Sequence, residues 1–382
     1  MKIMFFIQDL GFGGVLRQVS ELVANLNRRG HDISVIAMYP IDSDWEHMWN
    51  TDSANIRALF SRKPYKDLPG PITIIKAVSR LRHIIMKEQT EILYSFAGNA
   101  AMLVSWLTVS TLSGTKLVWG IQGSGYKLRS NDIKYKTSLY VLKWISPFVP
   151  LVILNSDTGL SSRRSMGHNF VKHIIINNGF DTEKFKPDPE ARDRLRQELG
   201  VSKKEILIGI VGRIVPDKGF HIFLKAAALV LIERTDVRFV CVGDGDENYK
   251  SDLQNLSREL VLTSYLIWAG FRSDMTSVFN SMDIFCSSSY AEGFPKVVGE
   301  AMACGVPCVV TDAGDTAVIV GDMGIVVPRN EPEMLAKGLL AMIERLPEIE
   351  PTRIRTRIVE NFTLEKMVDK TEIALREVLN DR

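Results

Sequence analysis

The sequence predicts an α/β protein made of two Rossmann-like domains, and three observations carry the prediction. Short apolar runs alternate with longer amphipathic segments along the chain, the pattern of parallel sheets covered by helices. The 382 residues are too many for one core of ordinary size and suit two. The turn-rich string Asn177-Asn178-Gly179-Phe180-Asp181-Thr182-Glu183-Lys184-Phe185-Lys186-Pro187-Asp188 interrupts the alternation midway and reads as a linker. The expected domains are therefore 1–178 and 179–362, with a final helical segment over 363–382.

In the first half the apolar runs place strands at 2–7, 32–37, 56–59, 92–95, 116–120, 151–154 and 173–176. The opening run stops at Gln8 and Asp9, well short of a signal peptide or a spanning helix, and reads as a buried first strand. Gly11-Phe12-Gly13-Gly14 follows it and opens a helix over 15–29. The loop is no dinucleotide fingerprint: Leu16 stands where the third glycine belongs, and no acidic residue ends the second strand. The apolar stretch 139–154 is broken by Lys143, Pro147 and Pro150, so it reads as a helix followed by a strand rather than a membrane crossing.

The second half repeats the alternation, with strands at 206–211, 238–242, 266–269, 284–286, 308–311 and 324–326. Over 363–380, Met367, Val368, Ile373, Ala374 and Leu375 fall near helical spacing, as in an amphipathic helix packed on one side. Neither low-complexity tracts nor short tandem repeats are present.

Composition narrows the functional classes. With 46% hydrophobic and 24% charged residues the chain is of soluble globular type. Its net charge of +2 hides an asymmetry, because residues 1–178 hold 21 Lys and Arg against 12 Asp and Glu. That basic half suits anionic lipid headgroups or an anionic lipid-linked substrate, and suits ordinary solvated charge equally well. Nucleic acid is not an expected partner, since the basic residues are dispersed and no nucleic-acid module accompanies them. Cys241, Cys286, Cys304 and Cys308 sit in apolar surroundings without metal or redox spacing, as buried reduced thiols of a cytoplasmic protein do.

The richest segment is Tyr290-Ala-Glu-Gly-Phe-Pro-Lys-Val-Val-Gly-Glu-Ala-Met-Ala-Cys-Gly-Val-Pro307, which sets Glu292 and Glu300 eight positions apart across a loop-to-helix junction. Pro295 fits the first helical turn and Gly305 the helix end. Gly293 lets a ligand approach the backbone, and the amides of Lys296 and Val297, in the first turn of the helix, form the positive end of its dipole. A phosphorylated, polyhydroxylated ligand suits such a junction, with no metal required. Upstream, Gly212-Arg213-Ile214-Val215-Pro216-Asp217-Lys218-Gly219 follows a predicted strand, where ligands bind in open α/β sheets, and Arg213 and Lys218 would face a diphosphate.

The 290–307 string, continued through Val309-Val310-Thr311-Asp312-Ala313-Gly314-Asp315, resembles the donor-sugar motif of the retaining glycosyltransferases of family 4, which have the GT-B fold. The bare spacing of two glutamates would mean little; the likeness extends over more than twenty consecutive positions. Gly212-Arg213, Lys218-Gly219 and the 177–188 linker are similar to the family's corresponding segments.

The resemblance implies two Rossmann-like domains facing across a deep cleft, the first binding the acceptor and the second the donor, with the last helix crossing back to the first. It implies Arg213 and Lys218 on the diphosphate, Glu300 on the ribose hydroxyls and Glu292 on the sugar. Gly293, Phe294, Lys296 and Val297 join the donor site, with Phe271 and Arg272 beside the base and Gly13 and Gly14 approaching phosphate or acceptor. Relatives carry His or Arg where this chain has Gln122, on the acceptor side; glutamine hydrogen-bonds a hydroxyl but carries no charge. No cofactor or metal is expected, although Asp42-Ser43-Asp44 and Asp244-Gly245-Asp246 match the manganese pattern of the other large glycosyltransferase fold. None of the six histidines reads as a better base, and Asn155-Ser156-Asp157 reads as a helix cap.

The expected partners are a nucleotide diphosphate sugar, with UDP favoured, and a saccharide or lipid-linked acceptor. The expected location is the cytoplasm, at the inner face of the membrane where the basic half meets lipid. Two alternatives stand beside transfer: a noncatalytic sugar-nucleotide-binding partner in glycan assembly, which Gln122 keeps open, and a nucleotide-sugar epimerase, which needs no acceptor.

Overall fold

The computed structural model describes residues 1–8, 14–40, 56–61, 70–96, 98–123 and 133–381, the side chains of 133–135 excepted. The chain divides into two compact units. Unit 1 comprises Met1–Gly179 with Glu365–Arg382, and unit 2 comprises Phe180–Leu364.

Unit 1 contains β1 (Lys2–Ile7), α1 (Gly14–Arg28), β2 (Asp32–Ala37), β3 (Ile56–Ala58), α2 (Pro71–Glu88), β4 (Ile92–Phe96), α3 (Asn99–Val109), β5 (Lys116–Ile121), α4 (Ile133–Ile145), β6 (Leu151–Leu154), α5 (Asp157–Ser165) and β7 (His173–Ile175). The strands pair in parallel in the order β3-β2-β1-β4-β5-β6-β7, so the order reverses between β1 and β4. Covering helices make the central strands apolar on both faces, and β1, β4 and β6 are buried almost throughout. Ser156 caps α5, its Oγ accepting the Gly159 N–H at 3.0 Å.

Unit 2 contains α6 (Pro189–Glu198), β8 (Ile206–Val211), α7 (Phe220–Glu233), β9 (Val237–Val242), α8 (Glu247–Glu259), β10 (Leu266–Gly270), α9 (Met275–Ser281), β11 (Ile284–Ser287), α10 (Lys296–Ala303), β12 (Cys308–Thr311), α11 (Thr316–Val320), β13 (Ile325–Val327), α12 (Pro332–Arg345) and α13 (Pro351–Asn361). Its parallel sheet runs β10-β9-β8-β11-β12-β13, reversing between β8 and β11. Asp188 and Asp246 cap α6 and α8, accepting the N–H groups of Ala191 at 2.9 Å and Tyr249 at 3.0 Å. The last helix, α14 (Leu364–Asn380), belongs to unit 1. There Glu372 binds Arg29 at 3.0 Å, and Thr371, Ala374 and Leu375 are buried.

Where the chain enters and leaves unit 2 its two strands are clamped together. The Phe180 N–H donates to the Phe362 carbonyl and the Leu364 N–H to the Phe180 carbonyl, both at 2.9 Å. The Phe180 ring then stacks on Phe294, centroids 6.1 Å apart, and Phe294 packs on Phe362 at 5.3 Å. All four cysteines are buried and free, and burial pushes the Cys304 thiol up to about 12.

Candidate active site

The carboxyl ends of β8 and β11 lie side by side where the strand order of unit 2 reverses, the place at which open α/β sheets bind ligands. Two loops leave them. The first, after Val211, runs through Gly212 and Arg213 into a short 3-10 turn, Pro216–Lys218. The second, after Ser287, carries Ser288 through Pro295 into α10.

The loops are knit by contacts that only particular residues permit. Gly219 has φ +66, and a Cβ there would stand 2.1 Å from the Ser288 carbonyl oxygen, so glycine lets the backbones meet. Ser288 Oγ donates to the Gly219 carbonyl at 2.9 Å, and the Tyr290 N–H donates to the Asp217 carbonyl at 2.8 Å. Gly314, φ +64, plays the same part on the other side, since a Cβ would lie 2.5 Å from the carbonyl oxygens of Glu292 and Gly293. The Asp315 N–H donates to the Gly293 carbonyl at 2.8 Å, and Thr311 Oγ1 to the Ser289 carbonyl at 2.6 Å.

These contacts bring Lys218 and Glu292 together. The Lys218 stem passes over Gly212, and its ammonium lies 2.5 Å from Glu292 Oε1, which also accepts the Ser289 hydroxyl at 2.7 Å. Lys218, Glu292, Ser289 and Val297 line one small cavity at the ends of β8 and β11. Arg213 is exposed on the same loop as Lys218 and pairs with no carboxylate among the described residues. The first amides of α10 have no partner within the helix and point toward its N-terminal end, adding partial positive charge beside Val297. The arrangement can hold an anionic group with an ammonium, a guanidinium and backbone amides, and leaves Glu292 to accept hydroxyl hydrogens.

The other sequence-predicted residues divide. Pro295, expected in the first turn of α10, is instead its N-cap: a ψ of 121° is extended, and helical backbone begins at Lys296. Gly305, φ +80, ends the helix as expected. Lys296 and Glu300, four apart on one face of α10, are 7% and 1% exposed. Phe294 is 2% exposed, its ring held in the aromatic stack with Phe180 and Phe362. Phe271 is half-exposed after β10, whereas Arg272 is claimed by Glu198 at 2.6 Å and Asp274 at 2.8 Å, which push its pKa up further.

Gly14 and Gln122 belong to unit 1, at the start of α1 and just after β5. Gly13 and the Asp42-Ser43-Asp44 string lie outside the described residues. Asp244 binds Lys250 at 2.5 Å, and Gly243 and Gly245 pack on the carbonyls of Gly212 and Ile214, so that turn braces the Arg213 loop. Among the described residues no three His, Cys, Asp or Glu side chains gather as metal ligands.

Sequence reasoning missed a polar brace behind the Glu292 loop. The Tyr290 hydroxyl donates to Asn330 Oδ1 at 2.7 Å and lies 2.8 Å from His221 Nε2, while His221 Nδ1 lies 3.1 Å from the Tyr249 hydroxyl. With its hydrogen committed to Asn330, the Tyr290 oxygen accepts from His221 Nε2–H, and in the neutral ring Nδ1 then accepts from the Tyr249 hydroxyl. Burial, with help from Lys225, pushes the His221 pKa down, in keeping with that state. Ser289 was also missed, although its place three residues before Glu292 was visible.

Two Rossmann-like units, each built on a parallel sheet, with Lys218 and Arg213 on the loop after β8, at the strand-order reversal of the second, place the chain in the α/β class whose ligand sites lie at such reversals. The profile described as Glycosyltransferase Family 4 matches residues 12–184, and the profile described as Glycosyl transferases group 1 matches residues 205–345. The chain belongs to glycosyltransferase family 4 and is a glycosyltransferase of the GT-B fold. It is 26% identical over 313 residues to the Escherichia coli UDP-Gal:alpha-D-GlcNAc-diphosphoundecaprenol alpha-1,3-galactosyltransferase, covering 78% of both sequences. It is 29% identical over 234 residues to the D-inositol 3-phosphate glycosyltransferase of Rhodococcus erythropolis, covering 57% of this chain and 51% of that protein. Among solved structures its fold matches Anabaena HepE in complex with UDP (TM-score 0.82, 22% identity, 99% and 100% of the chains). It also matches sucrose-phosphate synthase from Thermosynechococcus elongatus (TM-score 0.85, 19% identity, both chains fully covered).

Proposed function

We propose that the protein transfers a sugar, with retention of anomeric configuration, from a nucleoside diphosphate sugar to a saccharide or lipid-linked acceptor in the synthesis of a cell-surface glycan. The observation that carries the reading is the Lys218–Glu292 pair beside exposed Arg213 at the β8/β11 reversal. A uridine donor is favoured by the Escherichia coli relative, named for UDP-Gal, and by the HepE complexes with UDP and UDP-glucose. The same relative is named for a diphosphoundecaprenol acceptor, which favours a lipid-linked one here.

In this reading Lys218, Arg213 and the α10 amides neutralise the diphosphate as it leaves, the largest electrostatic demand of the step. Glu292 accepts hydrogen bonds from the sugar hydroxyls. The acceptor hydroxyl attacks the face from which the diphosphate departs, and a diphosphate oxygen takes its proton, so a carboxylate nucleophile is not needed. Glu300 meets the ribose hydroxyls from a fixed, buried position. Unit 2 holds the donor, and unit 1, with Gln122 and the 13–14 glycines, serves the acceptor.

The test is binding of UDP by calorimetry to Glu300→Ala and Arg213→Ala, with unfolding followed in parallel. Each variant should bind at least about tenfold more weakly, the loss of one charge-assisted contact, while remaining folded. Unchanged binding in both would remove the site assignment.

A further inference from the structure

The described surface of unit 1 carries a feature that the donor site leaves unused. Tyr140, Trp144 and Phe148 stand at i, i+4 and i+8 along α4 and the 3-10 turn Ser146–Phe148 that continues it. They are 59%, 62% and 71% exposed, whereas Leu142 and Ile145 on the other side of the same segment are buried. The helix thus docks by one face and turns a file of aromatic rings outward. Tyr140 and Trp144 meet edge to face, centroids 6.2 Å apart. The Lys143 ammonium lies 6.0 Å from one ring centroid and 5.9 Å from the other, and Lys136 is exposed one turn before Tyr140. Beside the turn, the Asn169 N–H donates to Ser146 Oγ at 3.0 Å, which holds a loop whose Val171 is 73% exposed.

Large exposed side chains in a continuous file mark a surface made to be covered. Aromatic rings interleaved with lysines match one occupant better than others, the headgroup layer of an anionic bilayer, where rings lie at the polar–apolar boundary and ammonium groups meet phosphates. The charge of the first half, 21 basic against 12 acidic residues, has the same sign. No helix among the described residues is long and apolar enough to cross a membrane, so such contact is peripheral.

We propose that the Tyr140–Trp144–Phe148 stripe, flanked by Lys136 and Lys143, is a docking surface for anionic phospholipid that brings unit 1 to a membrane-borne acceptor. The proposal rests on the lipid-linked acceptor reading above and locates its membrane contact. Attraction from the lysines is screened by salt, while the aromatic contribution persists.

The test is co-sedimentation of the full chain with phosphatidylcholine vesicles, with and without phosphatidylglycerol, while UDP binding is measured on the same preparations. The wild type should pellet with the anionic vesicles, less at high salt, and hardly at all with phosphatidylcholine alone. Lys136→Gln with Lys143→Gln should weaken binding roughly fivefold per charge. Tyr140→Ser, Trp144→Ser and Phe148→Ser combined should abolish it with UDP binding unchanged. Bilayer-embedded brominated lipid should quench wild-type tryptophan fluorescence more than that of Trp144→Phe, a readout that does not depend on the triple variant folding. A wild type left in the supernatant, or a triple variant that binds equally, overturns the proposal. So does a wild-type dimer that the triple variant dissolves without any vesicle binding, which would assign the stripe to a second copy of the chain. Retained UDP binding with no vesicle binding removes this proposal alone, and lost UDP binding in the wild type removes the donor reading instead.

Discussion

The Lys218 ammonium stands 2.5 Å from Oε1 of Glu292, so the cation proposed to meet a diphosphate is already paired with the carboxylate proposed to meet a sugar. The two side chains are 22% and 11% exposed, shielded enough for the pairing to matter. Glu292→Gln keeps the shape and an acceptor for the Ser289 hydroxyl but removes the charge that Lys218 now neutralises. UDP should therefore bind the variant at least as tightly, while sugar transfer falls by about tenfold or more through loss of a charge-assisted hydrogen bond. Titration calorimetry and a transfer assay check the two halves separately. Weakened UDP binding would mean that Glu292 orients Lys218 rather than competing with the ligand for it.

Tyr290 ties the Glu292 loop to the body of unit 2 through both its hydroxyl and its backbone. Tyr290→Phe leaves the backbone bond to Asp217 and deletes the hydroxyl bonds to Asn330 and His221. A stability loss of about 1 kcal/mol is expected for a half-buried hydroxyl of this kind. A loosened loop should also raise the donor KM severalfold with a smaller change in kcat. A lower melting temperature with an unchanged KM would reduce the brace to structural support.

The underside of α10 gives a sharper stability prediction. A Cβ on Gly299 would stand 2.1 Å from the Phe180 ring, itself stacked on Phe294 where the chain enters unit 2. Gly299→Ala should cost about 1–3 kcal/mol by overpacking, despite the better helix propensity of alanine. Adding Phe180→Leu should restore part of the loss by vacating the space. If the double variant is less stable than either single one, the two positions are not coupled as the contact implies, and thermal melts of all four proteins decide it.

Much of this was legible in the sequence, for a definite reason. Parallel strands buried on both faces must be apolar runs, and the residues after them must be loops, so both sheets and the Arg213–Lys218 and Glu292 loops could be placed without coordinates. The contacts that spend a residue elsewhere were not legible. Arg272 looks like a ligand for a base until Glu198, distant in sequence, is found beside it. Phe294 belongs to a motif whose pattern does not say which side chains pack inward, and its ring is buried against Phe180 and Phe362. The Tyr290 brace joins His221 and Asn330 from separate helices and loops, a convergence set by tertiary packing alone.

His168 sets an acid limit on unit 1. The ring is 5% exposed, neither nitrogen has a hydrogen-bond partner among the described residues, and burial, with repulsion from Arg163 and Lys143, pushes its pKa down to about 4. Above pH 6.5 the imidazole is neutral in folded and unfolded chains alike and contributes no pH dependence. Between pH 6.5 and 4 the unfolded chain takes up a proton that the folded chain refuses, so stability falls with pH, by about 2 kcal/mol at pH 5 and about 3 in full. His168→Leu removes this titration, so its melting temperature relative to wild type should climb as pH falls from 7 to 5. Glu372, held down to about 2 by Arg376 and Arg29, also loses stability on acidification, but only as pH falls below 4.5. The two windows separate cleanly: a wild-type decline that begins only below pH 4.5, or one that His168→Leu retains above it, would show that the imidazole is hydrated or paired in solution.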